Sequence, residues 1–177
     1  MISNNNINYL SMEGLPWVLA AWLIMILLRP LATLVHEVGH VTPAFFLTKD
    51  DILLRVGRHG KSWKGNLGKV FWEISLINTR EGFTGYNKNS LGKIKLITVV
   101  SGGIISSFIM SFTTGWQIFT NNFPTWIEII LVAWFCANSL VFLRSILPLR
   151  LKPTTVFPNG PPSDGLQLKN IILNKKI

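Results

Sequence analysis

A chain of 177 residues suffices for one domain, and this one is 49% hydrophobic and only 14% charged, where an ordinary soluble domain carries roughly 25% charged residues. With a mean hydropathy of +0.39, the composition is that of an integral membrane protein. The net charge of +9 does not point to nucleic acid: the basic residues fall in two blocks, without the interleaved aromatics of a nucleic-acid groove, so no nucleic-acid partner is expected.

Residues 1–14 are polar and contain no Lys or Arg. The apolar stretch after them has neither a basic n-region nor a small-residue cleavage site, so it reads as a retained segment, not a signal peptide. It runs from Leu15 to Leu47, 33 residues, where a straight crossing needs about 20. Two readings stand: one long helix kinked at Pro30, or a partial helix to Leu28 followed by a separate span with Pro30 in its first turn.

Within this run lies His36-Glu37-Val38-Gly39-His40. On a helix, residues four apart share a face one turn apart, so both imidazoles can grip one metal ion, with Glu37 beside them to handle the proton of an activated water. At this composition the pattern arises by chance in roughly one or two chains per thousand. Ionisable groups in an apolar helix are costly, about 2.5–3.5 kcal/mol for a central Asp, Lys or Arg, and a bound cation offsets that cost.

Residues 48–93 change character. Ile52–Val56 and the run beginning at Val70 are rich in strand formers, separated by Gly57-Arg-His-Gly-Lys-Ser-Trp-Lys-Gly of turn composition. A small β-hairpin or three-stranded sheet outside the bilayer, within about 50–90, is expected. Leu96 to Phe119 carries no charge and reads as the next span. Its Gly103, Ser107, Ser111 and Gly115 recur every four residues, a small-residue stripe that lets another helix approach, and it reads as a packing device. The loop at 120–126 has no basic residue; a third span covers about 124–143, with Trp126 at the interface. The tail holds a Pro/Gly-rich bend, Phe157 to Gly165, and then Leu166, Leu168, Ile171 and Ile172, a short closing helix. The fold class is thus a polytopic α-helical membrane protein of about three spans, four if 15–47 divides. It forms a single membrane-embedded domain over 1–177, with a small β insert between its first and second spans and a tail at 157–174 that carries Asp164.

Segment 48–95 and the tail are rich in Lys and Arg, whereas 1–14 and 120–126 have none. Three spans put these pairs on opposite sides, and the positive-inside rule makes the basic side cytoplasmic and the N-terminus external. The site and the C-terminus then face the cytoplasm, and anionic lipid accounts for the positive charge.

A hydrolytic zinc site needs three protein ligands and an open position. The one cysteine, Cys136, excludes a disulfide framework and a cysteine-rich site, so a third ligand must be His or carboxylate. His59, in a basic turn-like loop, reads as a surface residue. Asp50, Asp51, Glu73 and Glu81 lie in the hydrophilic insert. Asp164 sits in the bend beside Gly165, which frees the backbone to turn; it reads equally as a ligand and as a turn or cap residue. Asn138, in the third span, can serve an oxyanion or an interhelical hydrogen bond.

An apolar helix with Leu34-Val-His-Glu-Val-Gly-His, a strand-rich insert, a small-residue span opening Ser101-Gly102-Gly103 and a late Pro162-Ser-Asp-Gly-Leu-Gln-Leu together resemble the site-2-protease family of intramembrane zinc metallopeptidases. The likeness is to its minimal bacterial branch and extends from about Leu31 to Leu168. It implies Zn²⁺ held by His36, His40 and Asp164, with Glu37 as catalytic base. It further implies transmembrane or membrane-anchored protein substrates and residence in a bacterial cytoplasmic membrane. The chain departs from the family pattern at Ser163, where Leu is usual, at Asn159-Gly160 in place of Asn-Pro, and at Gly102-Gly103 in place of Gly-Pro. The rival from another class is a non-catalytic membrane protein with a structural or sensing metal site.

Overall fold

The computed structural model describes residues 14–57, 62–75, 81–153 and 159–174. Leu15–Leu47 is one unbroken helix, α1, which runs through both Pro30 and Pro43; the divided reading of this segment does not hold. Proline deprives the carbonyl four residues back of its N–H partner. For Pro43 that carbonyl belongs to Gly39, and it lies where a side chain on Gly102 would otherwise sit. At Pro43, then, the backbone of α2 at Gly102 packs against the carbonyl the proline frees.

Two more long helices follow the insert, α2 at Lys93–Thr120 and α3 at Thr125–Ile146. All three are long and apolar enough to cross a membrane, and each packs against the other two. Apart from the glycine contact, the α1–α2 seam has Ser106 Oγ donating to the Val35 carbonyl at 3.0 Å. Glu128 in the first turn of α3 and Arg144 in its last complement the helix dipole at both ends.

Between α1 and α2 lie β1 (Ile52–Val56), β2 (Trp63–Leu67), β3 (Val70–Ile74) and β4 (Gly82–Gly85). They form a four-stranded mixed sheet in the order β2-β3-β1-β4, larger than the expected hairpin or three-stranded sheet. β1 and β3 pair in parallel, the other neighbours antiparallel. Two strands were hidden in the sequence. Trp63-Lys64-Gly65 had turn composition yet belongs to β2, where the Trp72 indole covers the bare backbone of Gly65 from the next strand; β4, Gly-Phe-Thr-Gly, has too little apolar content to announce itself. Gly68 turns β2 into β3 with a φ of 59°, a conformation open to glycine.

Ile52, Leu54 and Val56 alternate inward from β1. A cluster of Ala44, Ile52, Leu91 and Val99 joins the end of α1, the sheet and the start of α2. The chain closes with α4, Asp164–Ile172, the short helix expected from the leucine and isoleucine spacing.

Candidate functional site

The buried residues of α1 are Ala32, Thr33, His36, Glu37, His40 and Ala44, one stripe at helical spacing that begins halfway along. His36 and His40 point from it toward α2 and α4. Their Nε2 atoms are 3.2 Å apart. Asp164 Oδ2 lies 2.9 Å from Nε2 of His36 and 3.4 Å from Nε2 of His40. Four tetrahedral ligands at 2.0–2.1 Å from a zinc ion stand about 3.3 Å from one another. The three atoms already have that spacing, and the group can hold a metal ion.

The opposite ring edges determine which nitrogens can bind it. His40 Nδ1 is 2.8 Å from the Val99 carbonyl, which can only accept, so Nδ1 can donate there and leave Nε2 to face the cluster. His36 Nδ1 is 3.0 Å from Ser107 Oγ, a hydroxyl able to take its proton in the same way. Such partners orient metal-binding histidines and raise their basicity. Three lone-pair donors then converge on one point, and only a cation or shared protons can reconcile them.

Asp164 comes from the far end of the chain on a purpose-built turn. Ser163 caps α4, its Oγ accepting from Leu166 N at 3.2 Å and from Leu149 N at 3.1 Å while donating to the Leu147 carbonyl at 2.5 Å. The cap is thereby tied to the chain leaving α3. Gly165 does not lie at a positive φ; it is small because a side chain there would strike the Ile146 carbonyl. Lys88 Nζ, donating to Gln167 Oε1 at 2.9 Å, and Lys93 Nζ, donating to the Ile172 carbonyl at 3.1 Å, hold the rest of α4. Burial alone would raise the Asp164 carboxyl, but hydrogen bonds from the His36 and His40 rings and their positive charge outweigh it and hold the group below the usual carboxylate range; a cation bound there would take the place of those protons. Burial beside that negative charge pushes the Tyr86 phenol up to about 12.

Glu37 faces β4. Its Oε2 accepts from Thr84 Oγ1 at 2.6 Å, and its carboxylate interacts electrostatically with both histidines and Asp164. The small-residue stripe of α2 proves more than a packing device. A side chain on Gly103 would collide with the His40 ring, and Ser107 orients His36; only its far end is packing, with Ser111 Oγ 2.6 Å from Ser139 Oγ and Gly115 against Phe135.

Asn138 is fully buried. Its Nδ2 donates to the Trp134 carbonyl one turn back at 2.9 Å, and its Oδ1 has no hydrogen-bond partner among the described residues. His59 lies outside the described residues. Asp50 binds Ser90 and Thr48, and Glu73 binds Arg55 and Ser62, so neither joins the cluster. Ser107, Thr84 and the Val99 carbonyl were not identified from sequence. The four-residue spacing of the stripe from His-facing Gly103 was the one available signal for Ser107. Comparison with family models, with curated proteins and with solved structures gives no match.

Proposed function

We propose that the chain is an intramembrane zinc metallopeptidase, cutting transmembrane or membrane-anchored protein substrates within or near the bilayer, as in the site-2-protease family its motifs resemble. One observation carries the reading: two imidazole nitrogens and a carboxylate oxygen from opposite ends of the chain converge at metal-ligand spacing, with a buried glutamate adjoining the first ligand. Zinc at that point would polarise the scissile carbonyl and make the attacking water acidic. Glu37 takes the proton from that water and returns it to the leaving amine. A substrate helix must unwind first, because its carbonyls are hydrogen-bonded internally. β4 is an edge strand with β1 on one side only, and an extended substrate segment pairs along its other edge. Asn138, the residue the sequence offers for the oxyanion, spends one Nδ2 hydrogen on the Trp134 carbonyl within its own helix, which favours the packing role over the oxyanion role. The basic insert and tail face the cytoplasm, with the N-terminus outside.

The rival is a structural or sensing metal site. Such a site closes its fourth position with a protein ligand, and among the described residues the group has three members. Glu37→Gln separates the readings. The variant purified in detergent should retain zinc by elemental analysis while cleavage of membrane-protein substrates falls about 10²–10⁴-fold. Equal cleavage by mutant and wild type would sink the mechanism.

A further inference from the structure

Glu37 is presented by α1 but held by the sheet. We propose that Thr84 is a positioning residue that fixes the carboxylate of this base, with Gly82 supplying the space it occupies. The inference rests on the peptidase reading.

Residues two apart on a strand share a face, so Gly82 and Thr84 of β4 present their sides to α1 together. Thr84 Oγ1 lies 2.6 Å from Glu37 Oε2 and 3.3 Å from the Glu37 carbonyl. The hydroxyl has a single proton to give, and the shorter contact takes it, at the length of a charge-assisted O–H···O⁻ bond. A side chain on Gly82 would overlap Glu37 Oε1. One carboxylate oxygen is therefore tied and the other lies against bare backbone.

β4 is itself anchored. Thr84 pairs with Leu54 and Gly82 with Val56, and both partners are buried. The strand is thus fixed in register to buried residues of β1. A glutamate has three rotatable side-chain bonds, and a misplacement of about 1 Å at a reacting group can cost about 10²-fold. Thr84 removes that freedom before the substrate arrives, and the β insert becomes part of the reacting geometry.

The test uses the full-length chain in detergent, loaded with Co²⁺ and titrated with octanohydroxamic acid, bound anion being followed by the visible Co²⁺ spectrum. The probe's N–OH proton passes to Glu37 as its oxygen anion binds the metal, so affinity reports the base without any knowledge of the natural substrate. Glu37→Gln is expected to weaken binding by about 100-fold. Thr84→Val, which removes only the hydroxyl, should weaken it by about 10-fold, and Thr84→Ser should restore it. Gly82→Ala should weaken it as well, and every variant should hold a full complement of Co²⁺ with an unchanged starting spectrum. If Thr84→Val binds like wild type while Glu37→Gln does not, the positioning role is overturned and the base assignment stands. If Thr84→Ser is as weak as Thr84→Val, or the metal is lost, Thr84 is merely structural and the inference fails. If Glu37→Gln binds like wild type, the base assignment falls and the inference falls with it.

Discussion

The protein buries two carboxylate clusters, and they are compensated in different ways. In the sheet, Arg55, Glu73 and Lys64 form one rung across β1, β3 and β2. Arg55 Nε donates to Glu73 Oε2 at 3.0 Å and Ser62 Oγ to Oε1 at 2.7 Å, with Lys64 Nζ at 3.5 Å. The acid meets cations and donors of the chain's own making. Burial would raise Glu73, but Ser62 and Arg55, aided by Lys64, hold it down to about 2. At the other cluster, His36 and His40 bring two ring nitrogens against the Asp164 carboxylate, each able to offer either a proton or a lone pair. Burial of charge is tolerated only when it is paired; in the sheet the partners are cations of the chain, and at the helices they are two histidines whose ring nitrogens could equally hold a metal ion.

That contrast can be broken in steps of decreasing size. Asp164→Ala removes the only carboxylate of the helix cluster and should abolish stoichiometric zinc binding and, with it, peptide hydrolysis; zinc per chain by elemental analysis checks it. Retained zinc would remove Asp164 from the ligand set and leave the two histidines. Ser107→Ala leaves the ligands but unpins the His36 ring, and metal affinity in a competition titration should fall about 10–100-fold. Glu73→Gln strikes the sheet cluster. It should cost about 1–3 kcal/mol of stability, read as an earlier detergent-unfolding midpoint, with zinc content unchanged.

The sheet cluster also has a pH signature. The carboxyl of Glu73 is depressed from 4.5 to about 2, so its stabilisation is complete above the unfolded value and drains away as pH falls through 4.5 toward 2. Wild type should lose stability in that window and Glu73→Gln should lose less. Parallel curves for the two would show that the rung contributes nothing to acid stability.

Legibility from sequence divides along the same line. His36, Glu37 and His40 were readable because helical periodicity alone puts them on one face. The three apolar helices and the closing helix were readable from length, hydropathy and spacing. Asp164 was only half readable: its turn chemistry was visible, but its approach to the histidines is a tertiary event, set by the Ser163 cap and the tight seat of Gly165 against Ile146. Thr84 was silent because a lone hydroxyl on a strand has no local pattern, and Ser107 was visible only as a member of the small-residue stripe; the meaning of both comes from what lies opposite. β2 and β4 were missed because an exposed or glycine-rich edge strand has no hydrophobic alternation to detect.

The stripe on α1 begins only at Ala32, and the preceding half of the helix contributes none of its buried residues. His36 lies nearly six turns beyond Leu15, about 30 Å along the axis, which matches the hydrocarbon thickness of an ordinary bilayer. In a bilayer, with Leu15 at one boundary and the helix upright, His36 and His40 would reach the opposite boundary, where water is at hand. Bilayer thickness would then control their depth. Thicker lipid would draw them inward and away from water, and thinner lipid would either tilt the helix or lift them clear.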